Sequence, residues 1–119
     1  MPFVQNQCGY CGGSMRITQL ACEECEFTHG GDFHTPRLYR LEPEDQQFVE
    51  LFMLASGSLK QMAKLLGVSY PTVRNRLDRL IERLETEKRA DEQRKQRILA
   101  DIEAERISVK LGTRMIDAI

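Results

Sequence analysis

GSLKQMAKLLGVSYPTVRNRLDRL, residues 57–80, consists of two short amphipathic runs separated by Gly67. Ser58 is followed three residues later by a glutamine, a capping-box pattern that predicts a helix beginning at Leu59. Gly67 ends that helix, because glycine adopts a left-handed conformation at little cost. Ser69 is a suitable cap for the next helix. The stretch therefore predicts a helix-turn-helix.

The second run predicts a recognition helix over about residues 70–84. Its apolar residues recur at helical spacing and form one stripe that we expect to face the preceding helices. They are Val73, Leu77, Leu80, Ile81 and Leu84. The opposite side of the helix start is polar and basic, and in a helix-turn-helix this part enters the major groove. Asparagine pairs there with adenine edges, and arginine pairs with guanine edges or phosphates.

We therefore predict that this surface contacts duplex DNA, and two alternatives stay open. The predicted contact residues are Ser69, Tyr70, Pro71, Thr72, Arg74, Asn75, Arg76 and Arg79, together with Lys60 and Lys64 of the preceding helix. In one alternative the arginines form an ordinary solvated face, partly paired with Asp78 and Glu82. In the other, the helix-turn-helix is a protein-contact surface and reads no DNA.

A further helix precedes these two. Pro43 suits the first position of a helix, and the acidic residues after it suit the positive end of the helix dipole. Apolar residues then recur with a helical period at Phe48, Leu51, Phe52 and Ala55. The three helices predict a helix-turn-helix domain over residues 36–84. This segment has eight Lys and Arg against six Asp and Glu, a net charge of +2.

Two Cys-x-x-Cys pairs lie near the start of the chain, formed by Cys8 with Cys11 and by Cys22 with Cys25. Pairs with this spacing let four thiolates converge on one Zn²⁺ ion in a tetrahedron. Because four sulfurs leave no open coordination position, we predict one structural zinc ion per chain. A redox dithiol or an iron–sulfur site is the alternative, although neither pair lies in a βαβ pattern.

The segment between the cysteine pairs alternates loosely over residues 15–20 and predicts a β-hairpin, so we expect residues 1–35 to form a small zinc ribbon. His29 and His34 follow, and we expect neither to be a ligand because four thiolates already complete the shell. The ribbon has one basic residue against four acidic ones, a net charge of −3, which would repel phosphates. We expect it to provide stability or protein contacts.

The pattern changes after residue 84. Residues 85–97 contain one apolar residue, and a heptad continued from the recognition helix would place Glu87, Asp91 and Arg94 at its apolar positions. This pattern does not support a continuous coiled coil. It predicts a solvated helix supported by opposite charges four residues apart. The expected pairs are Glu85–Arg89, Lys88–Glu92 and Asp91–Lys95.

Apolar residues resume at Ile98, and Ser108 is a suitable cap for a last short helix. Two short apolar faces joined by a turn cannot bury themselves alone. We therefore expect residues 85–119 to be a helical extension that ends in a dimerisation hairpin, similar to short oligomerising hairpins at the ends of other bacterial proteins. A homodimer through these C-terminal helices would let two weakly basic surfaces bind adjacent half-sites.

Several segments together resemble one known family. They are Cys-Gly-Tyr-Cys-Gly-Gly at residues 8–13, Cys-Glu-Glu-Cys at 22–25, Pro-Arg-Leu at 36–38, Leu-Glu-Pro-Glu at 41–44 and Gly-Val-Ser-Tyr-Pro-Thr-Val-Arg-Asn-Arg-Leu at 67–77. The family is an uncharacterised prokaryotic one, a domain of unknown function that joins an N-terminal zinc ribbon to a sigma-factor-like helix-turn-helix. The resemblance covers residues 8–84 and implies a three-helix DNA-binding domain and a transcriptional regulator. Glu26 departs from the usual Gly, and Glu42 departs from the usual Ser cap.

The chain as a whole predicts a mainly α protein: a small β zinc ribbon, a three-helix helix-turn-helix domain and a long helical C-terminal extension. We find no catalytic constellation, transmembrane run or signal peptide. We therefore expect a cytoplasmic protein that is not an enzyme and has no small-molecule substrate and no membrane contact. The leading hypothesis is a zinc-containing, DNA-binding transcriptional regulator. The alternative is an adaptor that contacts RNA polymerase or a sigma factor without reading DNA.

Overall fold

A computed structural model describes residues 4–119, which contain four α-helices, one 3-10 helix and a two-stranded antiparallel sheet. These residues divide into two compact units, one ending at Pro36 and the other spanning residues 37–119. The mainly helical fold is confirmed. Residues 1–3, which the predicted ribbon includes, lie outside the described residues. None of the helices between residues 4 and 119 combines the length and the hydrophobicity that a membrane span requires.

The sheet of the N-terminal unit consists of β1, Ile17–Ala21, and β2, Thr28–Phe33. Ala21 pairs with Thr28, so residues 22–27 form the loop that joins the strands. The expected strand between the two cysteine pairs is present as β1, but its partner β2 follows the second pair, so that pair lies in the loop of the hairpin. The sequence does not predict β2, THGGDF, because its polar first residues and two adjacent glycines show no alternation of apolar and polar side chains.

The helical unit begins with the 3-10 helix, Arg37–Arg40, and continues through α1, Pro43–Leu54, and α2, Leu59–Leu66. The long helix α3 spans Tyr70–Glu103, and α4 spans Val109–Asp117. The expected caps are present at three helix starts: the Ser58, Ser69 and Ser108 hydroxyls each accept a hydrogen bond from a backbone N–H three residues later, at 3.1, 3.4 and 3.1 Å. Glu42 precedes α1 and makes no side-chain cap bond.

The core of this unit lies between α1, α2 and the first turns of α3. Its buried members are Leu41, Phe48, Ala55, Leu59, Met62, Val73 and Leu80. Leu66, Val68 and Ile81 are exposed, although the predicted apolar stripe of the recognition helix placed Ile81 against the preceding helices. Helix α2 has only two turns and buries Leu59 and Met62, while Ile81 lies about 80° around α3 from Val73, beside the covered stripe.

Helix α3 continues for 34 residues without interruption, a length of about 51 Å. Its buried residues are Val73, Leu80, Asp91 and Ile98, so one side is covered far beyond the helix-turn-helix. Near the end of the chain, Gly112 of α4 packs against Ile102 so closely that a Cβ would overlap the isoleucine side chain. Helix α4 still leaves Val109, Leu111 and Met115 substantially exposed.

The middle of α3 is covered by an ion cluster rather than by solvent. Asp91 is 1% exposed and accepts hydrogen bonds from Arg37 Nε and Arg40 Nη1, each at 3.0 Å, and from Arg94. Arg40 also lies 3.5 Å from a carboxylate oxygen of Glu87. Two of the charged residues at the heptad positions, Glu87 and Asp91, therefore face the 3-10 helix, while Arg94 contacts Asp91 from the same helix. None of the three predicted pairs four residues apart forms a salt bridge within residues 4–119.

The arginines around Asp91 hold the pKa of its carboxyl well below the usual range, with the hydrogen bonds from Arg40 as the largest cause. The same contact raises the pKa of Arg40. A carboxyl whose folded-state pKa is depressed contributes stability that is fully present above its unfolded pKa of about 4. That stability is lost as the pH falls through the lower pKa of the folded state.

We expect Asp91→Asn to lower the free energy of unfolding by about 2–3 kcal/mol at neutral pH, because the change leaves three arginines without their carboxylate. The difference from the unchanged protein should shrink as the pH is lowered below about 4. Chemical denaturation followed by circular dichroism at several pH values measures both effects. Asp101→Asn is the matched control, because Asp101 also pairs with an arginine but is 40% exposed, and it should cost under about 1 kcal/mol.

Candidate nucleic-acid interface

The corner between α2 and α3 has the geometry of a helix-turn-helix. Gly67 ends α2 in the left-handed conformation, at φ 68° and ψ 32°. The Val68 N–H then donates to the Ala63 carbonyl at 3.0 Å, which closes the turn tightly. Ser69 precedes α3 in an extended conformation, and its hydroxyl oxygen lies 2.8 Å from that of Thr72. These local bonds fix the direction in which α3 leaves the corner.

Most of the ten predicted DNA-contact residues are on the surface. All of them except Arg76 are exposed: Ser69, Tyr70, Pro71, Thr72, Arg74, Asn75 and Arg79 of the corner and α3, and Lys60 and Lys64 of α2. The side chains of Asn75 and Arg79 form no hydrogen bond or ion pair with any other residue between 4 and 119. Arg74 pairs with Asp78 at 3.3 Å, and both side chains are half exposed.

Two arginines near this surface are engaged with α1 instead. Arg76 donates to the Glu44 carbonyl at 3.3 Å, and its guanidinium lies 4.9 Å from the centre of the Phe48 ring. Arg83, about two turns further along α3, pairs with the buried Asp45. Both arginines therefore join the first turns of α1 to α3. The free positive charge of the surface is smaller than the sequence indicates.

The sequence alone did not predict that Arg76 contacts α1 while Arg79 remains exposed and unpaired. A signal was present, because Arg76 and Arg83 are seven residues apart and so lie on the same flank of the helix. Asn75 and Arg79, four residues apart, lie on another flank. The spacing alone does not say which flank α1 would cover.

We expect Arg76→Ala to lower the free energy of unfolding by about 1 kcal/mol, because it removes a cation–π contact and a charged hydrogen bond. Arg79→Ala should leave stability within about 0.5 kcal/mol of the unchanged protein, because Arg79 is exposed and unpaired. Thermal and urea unfolding of both variants checks the contrast. Equal stability of the two variants would contradict the contact of Arg76 with Glu44 and Phe48 of α1.

The two cysteine pairs occupy two copies of one loop, fourteen residues apart. Residues 8–13 lie between the bridged residues Gln7 and Ser14, and residues 22–27 lie between the paired residues Ala21 and Thr28. In each loop the first cysteine N–H donates at 2.8 Å to the carbonyl of the sixth residue. In each loop the fifth residue, Gly12 or Glu26, has a positive φ near 60–70° and donates to the carbonyl of the first cysteine.

Backbone N–H groups point at the first thiol of each loop. The Tyr10 N–H donates to Cys8 Sγ at 3.4 Å. The pKa of Cys8 is lowered, chiefly by the backbone N–H of Cys11 and then by that of Tyr10. The pKa of Cys22 is lowered in the same way by the N–H groups of Cys25 and Glu24. This environment favours thiolates, which are the form that binds metal ions.

The structure does not bring the two pairs into one group. Within residues 4–119, no set of three or more His, Cys, Asp or Glu side chains has separations that could hold a metal ion. The His29 ring contacts Phe27 edge-on, with 4.8 Å between ring centres. The four-cysteine zinc site therefore stays a prediction. What the structure adds is the equivalence of the two loops and the polarity around their first thiols.

Comparison with known proteins supports the helix-turn-helix. Residues 41–87 match a family model described as "Domain of unknown function (DUF2089)-HTH". The matched segment includes α1, α2 and the first half of α3, so the prediction of a helix-turn-helix similar to that of an uncharacterised family is confirmed for these residues. Searches of curated proteins and of solved structures found no match to the chain. A helix-turn-helix of this kind indicates a DNA-binding regulator.

Proposed function

We propose that the protein is a zinc-containing transcriptional regulator that binds duplex DNA as a homodimer, with the first turns of α3 in the major groove. The observation that carries the proposal is the exposed pair Asn75 and Arg79, which has no partner elsewhere in residues 4–119 and lies in the segment that matches the helix-turn-helix family. These two side-chain types read adenine and guanine edges.

The remaining polar residues of the surface have supporting roles in this proposal. Lys60 and Lys64 of α2 are exposed and would contact phosphates, which fix the protein on the duplex without specifying sequence. The Ser69 and Thr72 hydroxyls already bond each other at the start of α3, so they stiffen the helix end that approaches the DNA. Arg74 can exchange its exposed pair with Asp78 for a phosphate at little cost.

We expect Arg79→Ala and Asn75→Ala each to weaken binding to a selected DNA site by roughly ten-fold to a hundred-fold, as loss of a base contact does. A mobility shift with DNA chosen from a random pool measures the effect. Binding should also fall steeply between low and moderate salt, because phosphate contacts release counterions. Arg89→Ala is the control, because Arg89 is an exposed arginine of the same helix beyond the first turns, and it should leave binding unchanged.

A second candidate function is an adaptor that contacts RNA polymerase or a sigma factor. The feature that favours it is a set of exposed apolar residues on the acidic N-terminal unit, where Tyr10 is fully exposed and Phe27 is 62% exposed. Large exposed apolar residues commonly mark contact surfaces. The mobility shift separates the two functions, because an adaptor would show neither sequence-selected DNA binding nor a loss on Arg79→Ala.

We propose that Cys8, Cys11, Cys22 and Cys25 hold one structural zinc ion. Two observations support this: the cysteines lie in two equivalent loops with N–H groups aimed at sulfur, and no side chain of residues 4–36 is buried. A unit of this size without a core needs a covalent or metal cross-link to stay folded. The thiolates would only bind the ion, since four sulfurs complete its shell.

We expect removal of zinc by a chelator to unfold residues 4–36 and to leave most of the helical signal in place, because the core of residues 37–119 contains no cysteine. Metal analysis of the purified protein should give one zinc per chain, falling on Cys8→Ser together with Cys22→Ser. Circular dichroism and NMR dispersion follow the two units separately. Simultaneous loss of all helical signal would contradict the proposal.

A further inference from the structure

Helix α3 carries a second regular stripe beside its covered face. Six residues alternate in steps of four and three along it: Ile81, Glu85, Lys88, Glu92, Lys95 and Leu99. This is the spacing of the contact seam of a coiled coil. All six lie within about 40–120° of Val73 around the helix, so the stripe is separate from the face that the other helices cover. We call it the flank stripe.

The flank stripe is largely open to solvent within one chain. Its two apolar ends, Ile81 and Leu99, are 41% and 46% exposed. Glu85, Lys88 and Glu92 are exposed, and Lys95 is half-buried. Among residues 4–119, none of the four charged members forms a salt bridge. Within residues 4–119, two partly exposed apolar side chains and four charges without a salt bridge therefore lie in a seam pattern.

The order of residues in the flank stripe is complementary to itself when reversed. Antiparallel pairing of two copies about residue 90 places Ile81 opposite the second copy's Leu99. The same register places Glu85 opposite a lysine, residue 95, and Lys88 opposite a glutamate, residue 92. Each facing pair of residues in this register therefore joins two apolar side chains or an acidic and a basic side chain. Parallel pairing in register would place each charge opposite itself, which is unfavourable.

From this self-complementarity we propose that two copies of the chain associate through their flank stripes, antiparallel and centred on residue 90. The inference rests on the homodimer of the proposed function and assigns its contact surface to the side of α3. The paired segment, residues 81–99, is 19 residues long, about 28 Å. Charged residues in such a seam fix orientation and register at a cost in affinity, so the association is weak and specific.

The recognition helices then lie at opposite ends of the dimer. The first turns of each α3 extend beyond the paired segment, because Asn75 precedes Ile81 by six residues. The two reading surfaces are related by a two-fold axis through the middle of the pair, which is the symmetry that a palindromic DNA site requires. The α3 flank therefore links self-association to the spacing of the two half-sites.

Charge reversal tests orientation and register together. Sedimentation equilibrium without DNA, over a wide range of protein concentration, gives the dimer dissociation constant. Lys88→Glu should raise this constant about ten-fold, because it turns two symmetry-related attractions into repulsions. Adding Glu92→Lys to the same chain restores both contacts and should return the constant to within about three-fold of the starting value.

The matched control is Lys88→Glu combined with Glu85→Lys. It has the same net charge and composition as the rescue variant, but it places like charges opposite each other both at residues 85 and 95 and at residues 88 and 92. This variant should associate no better than Lys88→Glu alone. Leu99→Asp should abolish association, whereas Leu54→Asp, at a 75% exposed position of α1, should not. Thermal melts at low concentration show whether each chain remains folded.

Several results would overturn the inference. A chain that stays monomeric at every concentration has no such interface. A dimer that is indifferent to Lys88→Glu and Leu99→Asp uses another surface, such as the hairpin of α3 with α4. Equal recovery by the rescue and control variants would exclude the antiparallel register. Because no DNA is present, these outcomes are independent of whether Arg79 is needed for DNA binding.

Discussion

Helix α3 keeps one side covered along most of its length, and the other elements of residues 37–119 contact that side or its edges. The covered residues are spaced by seven, eleven and seven positions, from Val73 and Leu80 through Asp91 to Ile98, and these spacings keep them on one side of the helix. At both ends the contacts are apolar, but in the middle an aspartate meets arginines from the 3-10 helix. A buried carboxylate is costly unless several donors satisfy it. The charged cluster therefore covers the middle of α3, between the apolar contacts near Val73 and Leu80 and those near Ile98.

The sequence carried enough information for the helices and the corner. Glycine at the turn, serine at three helix starts and the apolar period act locally, so α2, α4 and the start of α3 could be predicted closely. Glu26 shows the limit of such reasoning: it takes a positive φ where glycine is usual, because the hydrogen bonds of its loop impose the conformation. The second strand escaped prediction because the bonds that define it come from its partner strand.

Long-range contacts were harder to predict than local ones. The sequence places Glu87, Asp91 and Arg94 at heptad positions, but their charges predict a solvent-exposed surface. Nothing in the sequence indicates that the 3-10 helix packs against this part of α3. Likewise, the basic face of α3 could be predicted as a surface, but not the packing of Arg76 on Phe48. Burial of a charge depends on which partner arrives from a distant part of the chain, and a local pattern does not encode that.

The uninterrupted length of α3 also determines how rigidly the two ends of the helix are connected. Between Pro71 and Glu103 the helix contains neither glycine nor proline, so it has no natural hinge. A rotation of α3 near Ile98 and Ile102 would therefore move its other end, at the corner that contains Gly67, rather than bend the helix in between. In the proposed DNA complex, the position of the C-terminal residues would therefore influence the angle at which the first turns of α3 lie on the duplex.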